Sequence, residues 1–598
     1  MSTNFQRSLS FPDWNNGKID DTLAMNNMVG FIMFHGQGYI YVTPHKPVTG
    51  FRLYVNNIEM DVSSVKPEER TRIDISRYTR DGMNSLMVLC VEPEGLKQVI
   101  DVDIPYPEVL DGSLEEAGID AEVMRVIEKI VESDVENGFT SAQLAIVKDG
   151  RLAYRNCWGK LNSYEQDGRV KEDSPMVNND TLYDLASNSK MYATNFAIQY
   201  LVGEGLLDVE KRVTEYVGER FAEDVIDLSY EGYDNPGLEV QKEWKRSLRL
   251  SDILRHQAGF PADPRYYYDR YDQGRQKRGD VENVLYSGDD GSDETRKRTL
   301  DCLCKTPMMY RPGTQTVYSD ADYMLLGLIV EQVTGMPEDD FLRKVFWEPM
   351  GLKHICMNPL KHGFKPEDCA ATELNGNSRD GVVQFKSMRT ETLQGTVHDE
   401  KAWCCLGGVA GHAGLFASAT DLAKLASVML SGGYGEHGFF SKGVIDNFMS
   451  PKSVNAANWG LGWNRQGDME RSWYFSPLSC RNTIGHQGWT GTLSMIDPER
   501  NLVIIFLTNK INSRLTNTQK DANRFNGNWY TSSTLGFVSE LIYAGFMGNM
   551  SHDVLKVLLK DMVIEKQKLV AAAGEDAEDP EHPIRKAYEA IKAVAESL

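Results

Sequence analysis

At 598 residues the chain exceeds what one hydrophobic core organises, so two or three domains are expected. Hydrophobic residues make up 41% and charged residues 25%, the balance of an ordinary globular protein with no low-complexity tract. Asp and Glu outnumber Lys and Arg by 86 to 64, and the net charge of −22 argues against nucleic acid or an anionic membrane as a partner.

The first twenty residues lack a basic patch followed by an apolar stretch, so no signal peptide is read there. No apolar run approaches the ~18–20 residues that span a bilayer. The nine cysteines have no zinc or disulfide spacing, and reduced, mostly buried thiols are expected. These features point to a cytoplasmic protein, or to an extracytoplasmic one if it is exported by another route.

Residues 1–110 read as β structure. Segments such as FIMFHGQGYIYVTP, GFRLYVNNIEM and NSLMVLCVEP alternate apolar and polar residues between Gly, Asn and Pro signals, which predicts a small β-sandwich. Ile73 to Tyr78, followed by Gly82 and Asn84, resembles the strand–turn–strand of accessory jelly-roll domains in glycoside hydrolases. A structural role, sugar binding and a homo-oligomer contact all remain open for this domain.

A helix is predicted across Val123, Val126, Ile127 and Ile130. A hairpin follows, from Ala142 to Trp158 through Lys148-Asp149-Gly150. A second hairpin is expected far downstream, Gly491–Ile496 and Leu502–Thr508, and the patterns between the two are mostly helical. The simplest fold is α/β plus all-α: a sheet built from both ends of residues 111–548, flanked by helices, with a helical region inserted. Residues 549–598 read as a helical tail docked on the body, with Val554, Leu558, Met562 and Leu569 on one face. Tyr266, Tyr267, Tyr268 and the charged stretch 269–297 are expected as an exposed insertion near a cleft mouth.

Three short segments carry chemistry. Ser187-Asn-Ser-Lys190 places a hydroxyl and an amine three residues apart at the head of a predicted helix, on one face. The helix N-terminus adds N–H groups where an oxyanion would form. For Lys190 to act as a base near neutrality its pKa must fall from ~10.4 to around 7, a cost of about 4–5 kcal/mol. Ser63 and Lys66 match the same spacing within the β-rich region and have no companions, so that match is accidental. The second segment, Arg311-Pro-Gly to Tyr318-Ser-Asp320, brings a phenol to the start of another apolar helix, where it can join a Ser–Lys–Tyr proton relay. The third, Gly485-His486-Gln-Gly488-Trp489-Thr-Gly491, leads into the last hairpin. Its glycines let a substrate approach the backbone, and His486 offers a donor or a cation.

In this order and at these separations the segments resemble the β-lactamase-like serine hydrolases, which include class C β-lactamases and low-molecular-weight penicillin-binding proteins. Leu250 to Pro261 and Gly407 to Ala417 look like the same family. The run from Gln394 to Glu400 is similar to its penicillin-binding D-alanyl-D-alanine carboxypeptidase branch. The resemblance covers residues 115–548. It implies a β-lactamase/transpeptidase-like antiparallel sheet and an acyl-enzyme on Ser187, with Lys190 and Tyr318 moving its proton. The backbone N–H groups of Ser187 and Trp489 would form the oxyanion hole, and Asp320, His486, Gly488 and Trp489 would contact substrate.

Two positions depart from the family pattern. Asp320 stands where many relatives have Asn, and exchanges an amide donor for an acceptor unless it is protonated or pairs with Lys190. His486 stands where lysine is usual, which weakens a fixed charge for a substrate carboxylate. His398 and His412 are expected to border the cleft, either touching substrate or serving the scaffold. No metal is expected, because no His-Glu-x-x-His pattern exists, and no organic cofactor either. Three functions stay open for a small-molecule or peptide substrate: a D-Ala-D-Ala carboxypeptidase-like peptidase, an esterase or amidase, and a binding protein on an inactivated scaffold.

Overall fold

A computed structural model describes residues 8–10, 27–93, 98–451 and 457–598. Most of the N-terminal stretch read for a leader lies outside the described residues.

Two four-stranded sheets occupy the N-terminal region. One orders Ser8–Ser10, Ile100–Asp103, Tyr39–Pro44 and Thr71–Asp74; the other orders Met28–Met33, Gly82–Glu92, Gly50–Val55 and Ile58–Glu59. Alternate residues, among them Ile40, Val42, Leu53, Leu86 and Val88, share one core between them. Asn84 explains the turn in this region: its buried side-chain amide donates to Arg80 O at 2.8 Å and Gly82 O at 2.9 Å. That is a structural staple. The region abuts the rest of the chain at Gly150, whose carbonyl accepts from Gln37 Nε2 at 2.9 Å.

The central sheet has seven strands, in the order Asn464–Arg465, Ile484–Gly488, Thr492–Asp497, Leu502–Thr508, Ser141–Lys148, Arg151–Gly159, Leu110–Asp111. Every pairing is antiparallel except the last, where Leu110–Asp111 runs parallel to Arg151–Gly159. The sheet is therefore mixed at one edge rather than wholly antiparallel. Its inner strands are apolar on both faces because each face meets a different layer. Leu144, Ile146, Ile504 and Phe506 pack with the helix Ala121–Glu136 and the C-terminal helices. Ala145, Val147, Val503, Ile505 and Leu507 pack against the inserted helical region. The helix Ala121–Glu136 is capped by Asp120, whose carboxylate accepts the Glu122 N–H at 2.9 Å. It buries Val123, Val126, Ile127 and Ile130, each worth about 1.5–3 kcal/mol of apolar transfer.

The tail forms two helices, Ser551–Ala573 and Pro583–Glu596, packed on each other and on Ala121–Glu136. The buried line of the first is Leu555, Leu559 and Lys566, one position round from the expected face; Leu569 is exposed. The helix also carries apolar residues beside the seam, so sequence spacing alone did not select the stripe that the neighbouring helix covers. Tyr266, Tyr267 and Tyr268 are buried in the main core, contrary to the expected exposed insertion. The exposed part is the short hairpin that follows, whose strand Lys277–Glu282 faces water throughout. No helix among the described residues is long and apolar enough to cross a membrane.

Candidate active site

The short strand Tyr183–Asp184 runs straight into the segment that holds Ser187. Asp184 fixes the turn: its Oδ1 accepts the Ala186 N–H at 2.9 Å and its Oδ2 the His398 N–H at 2.7 Å. Ala186 sits at φ +46°, a left-handed backbone that costs a non-glycine residue of order 1–3 kcal/mol and is held here by those bonds. After Ala186 the chain makes a tight 3₁₀ turn, then a widened π turn over Lys190–Asn195, before the regular helix Phe196–Gly203. The expected plain helix start is thus replaced by two distorted turns, as occurs at functional sites. Thr194 contributes by turning its hydroxyl to Gly411 O at 2.8 Å.

The turn is locked to the sheet from the other side. Asn188 donates to Thr492 Oγ1 at 3.0 Å and accepts from Ser494 Oγ at 2.7 Å. Gly488 lies against it so closely that a Cβ there would stand 2.3 Å from Leu185 O and 2.3 Å from Thr492 Oγ1. Thr490 Oγ1 donates to Asp184 O at 2.7 Å. Asp184 therefore anchors both backbones flanking the gap, next to Ser187 through its carboxylate and next to Trp489 through its carbonyl. Nothing in the sequence marked it.

Lys190 is fully buried and spends its three donors on Ser187 Oγ at 3.0 Å, Asp320 Oδ1 at 2.9 Å and His412 O at 3.0 Å. This is the coordination of an ammonium. Burial opposes the charge, but Asp320 and Tyr318 outweigh it and hold the amine above its ordinary value. The downward shift required of a free lysine base is therefore not what the resting site provides. Asp320 resolves its departure from the family pattern by pairing with Lys190. Despite burial, Lys190 and Lys401 keep its carboxyl well below the usual carboxylate range.

Tyr318 precedes the helix Asp320–Thr334, whose N-cap is Ser319. The residue is partly exposed, its ring centroid lies 4.9 Å from Lys190 Nζ, and the ring packs on buried His256 at 4.5 Å. Burial pushes the phenol up, Lys190 pulls it down, and the net shift is upward.

His486 is buried, with Nδ1 donating to the Gln487 carbonyl at 2.7 Å, so Nε2 carries a lone pair. Burial and the nearby Lys190 charge hold its pKa down to about 3. The expected donor or cation is a neutral imidazole at neutral pH, because burial, and then the Lys190 charge, oppose its protonation. His412 bonds Asp399 at 2.8 Å, and His398, which lines the cleft, bonds Glu373 at 2.9 Å.

Lys401 has no motif around it that marks it in the sequence. It is 4% exposed and reaches Asp263 at 2.8 Å, Asp320 Oδ2 at 3.1 Å and Asp399 at 3.5 Å. One carboxylate, Asp320, thus bridges two buried ammonium groups. Asp320, Asp399 and His412 present ligand atoms within 4.8 Å of one another, but the two lysines already occupy both Asp320 oxygens.

The cleft has two lobes that meet at Ser187, Tyr318 and Trp489. One, of about 430 Å³, runs along Trp459, Arg471, His486 and Lys510. The other, of about 280 Å³, runs along Asp263, Asp320, Arg379 and Lys401.

The beta-lactamase family model matches residues 125–525. A protein of Escherichia coli (strain K12) named "Putative D-alanyl-D-alanine carboxypeptidase" is 42% identical over 441 residues, covering 73% of this chain and 94% of that one. A protein of the same name from Salmonella typhimurium is 39% identical over 443 residues, covering 74% and 95%. Among solved structures, EstCE1, a hydrolase with promiscuous acyltransferase activity, aligns with a TM-score of 0.48 at 16% identity, over 72% of this chain and 99% of that one. With the family model matched over more than half of its length, and with such relatives, the chain belongs to the beta-lactamase family and is a serine hydrolase.

Proposed function

We propose that Ser187 is the nucleophile of a D-alanyl-D-alanine carboxypeptidase-like reaction. The observation that carries this reading is the 3.0 Å contact between Ser187 Oγ and the buried Lys190 amine, at the point where both lobes meet. Relatives at 42% and 39% identity that bear the name "Putative D-alanyl-D-alanine carboxypeptidase" support this substrate class.

Ser187 Oγ attacks the carbonyl carbon of the penultimate D-alanine, and its proton passes to Tyr318 in its phenolate form. The backbone N–H groups of Ser187 and Trp489 receive the oxyanion; one such donor is worth 10²–10³ in rate. When the C–N bond breaks, the proton goes to the departing amine. Water then cleaves the serine ester by the reverse relay. The Lys190 ammonium stabilises the phenolate and the alkoxide through charge. Asp320, by holding that ammonium, keeps its charge in place.

Fluorescent penicillin and a fluorophosphonate, each followed by intact-mass and peptide mapping, test the assignment. Adducts of both on Ser187 are expected; a fluorophosphonate adduct alone would move the substrate class to simple esters, and no adduct on Ser187 would remove it as nucleophile. The relay also fixes the pH response. Because the Tyr318 phenol and the Lys190 amine are both held above their ordinary values, the form lacking one proton is scarce at neutrality. kcat/KM should rise about tenfold per pH unit above 7, until the pair titrates as one macroscopic step. A profile flat from pH 7 to 10 would contradict this role for Tyr318.

A further inference from the structure

The chemistry at Ser187 leaves one buried histidine without a role. His256 follows the short helix Leu250–Leu254 and is fully buried at φ +55°, a left-handed backbone that a non-glycine residue keeps only where its surroundings enforce it. Those surroundings are the segment that carries Tyr318. The His256 carbonyl accepts the Val317 N–H at 2.9 Å, and its Nδ1 accepts the Ser319 N–H at 3.2 Å. The two bonds bracket Tyr318, and the imidazole itself packs on the phenol ring at 4.5 Å. Trp459 and Tyr323 close it in at 5.2 and 5.6 Å.

The same Nδ1 lies 2.7 Å from Asp322 Oδ2. A nitrogen that accepts the Ser319 N–H carries a lone pair, so the proton in the 2.7 Å contact belongs to the carboxyl. Asp322 is 1% exposed and its other oxygen has no partner, a state far less costly for a neutral acid than for a carboxylate. Burial, with Asp320 adding to it, pushes Asp322 well above the usual carboxylate range. Burial, and then the Lys190 charge, holds His256 well below its ordinary value. Lys190 and Asp320 are the ionised groups that face the pair, and they meet each other at 2.9 Å. His486, Tyr318 and Tyr323 also face it, and each is uncharged near neutrality.

We propose that His256 and a protonated Asp322 are positioning residues, a neutral pair that sets the Tyr318 phenol in place for the Ser187 proton. Their role rests on the reading that Tyr318 takes that proton. Neutrality matters as much as placement. An imidazolium 4.5 Å from the phenol would favour phenolate in the resting enzyme and repel the Lys190 ammonium. A neutral ring holds the phenol without adding charge, and leaves Lys190 as the cation that answers the proton transfer.

Three variants of the full chain test the pair. Asp322→Leu removes the donor to Nδ1, Asp322→Asn replaces it with an amide N–H, and His256→Phe/Asp322→Leu makes the pair apolar while keeping a ring under the phenol. Each is assayed with p-nitrophenyl acetate from pH 7 to 10, with thermal melts alongside. Asp322→Leu and the double variant should lose ~10–100-fold in kcat with KM within about threefold, since a misplacement of ~1 Å can cost 10²-fold. Asp322→Asn should recover most of that loss, with the rising limb of its pH profile in place. The ¹⁵N spectrum of histidine-labelled wild type, assigned by the signals missing from the double variant, should show Nδ1 of His256 bare and Nε2 protonated. Folded variants with wild-type kcat would overturn the positioning role. A limb displaced in Asp322→Asn, or a His256 with both nitrogens protonated, would overturn the neutral pair, and both readings hold if the double variant does not fold. Tyr318→Phe at the wild-type rate would bring down the relay itself; an inactive Tyr318→Phe beside a fully active double variant would bring down the pair alone.

Discussion

Replacing Lys190 with methionine should slow acylation of Ser187 by ~10³–10⁴-fold while the protein stays folded. The side chain is fully buried and donates to Ser187, Asp320 and the His412 carbonyl, so no solvent cation can take its place. Losing it removes both the charge that stabilises a Tyr318 phenolate and the donor on Ser187 Oγ, and positioned proton-transfer groups contribute ~10²–10⁴. Folding survives because Lys401 still meets Asp320 Oδ2 at 3.1 Å. Stopped-flow acylation by a chromogenic ester, with Ser187→Ala as the floor and a thermal melt alongside, measures both quantities. Acylation within tenfold of wild type would reduce Lys190 to a counter-ion of Asp320.

The second large effect is expected at Lys401. Lys401→Met leaves Asp263, Asp320 and Asp399 facing each other without the cation that all three share. Breaking a buried pair costs 3–5 kcal/mol, and about 3 kcal/mol is expected here because Asp263 and Asp399 keep contact with water. Denaturant unfolding should report that loss. The chemistry should change as well. With Lys401 gone, Asp320 attends to Lys190 alone and holds its proton harder, so the rising limb of the pH profile moves to higher pH. A variant as stable as wild type would show that the carboxylates rearrange or take up protons when the lysine leaves.

The fold was readable where one interaction dominates. The two hairpins of the sheet follow from alternation, because Leu144 and Ile146 serve one core while Ala145 and Val147 serve the other. Ser187, Lys190 and Tyr318 lie together, and in the sequence their company, not their spacing, set them apart. What stayed hidden depends on distance in sequence. Lys401 meets Asp263 across 138 residues, and Asp184 meets His398 across 214. Neither pairing leaves a local pattern. The direction of the Lys190 shift was hidden for the same reason: desolvation was foreseeable from the motif, but the Asp320 charge that reverses it arrives from 130 residues away. Tyr266 to Tyr268 misled because charged neighbours suggested a surface, while tertiary packing drew the rings inward.

The order of the central sheet also bears on how the protein is made. Strand Ser141–Lys148 lies beside Leu502–Thr508, so the middle of the sheet joins chain segments synthesised far apart. At 5–20 residues per second, roughly half a minute separates them on the ribosome. Through that interval the first hairpin shows an apolar edge with no strand to cover it, and the Ser187 turn lacks the wall that Thr492 and Ser494 later provide. A nascent chain in that state is a natural client for a chaperone that shields apolar strand edges. Truncation between Gly159 and Leu502 should yield aggregates, because the sheet that walls the nucleophile turn cannot close.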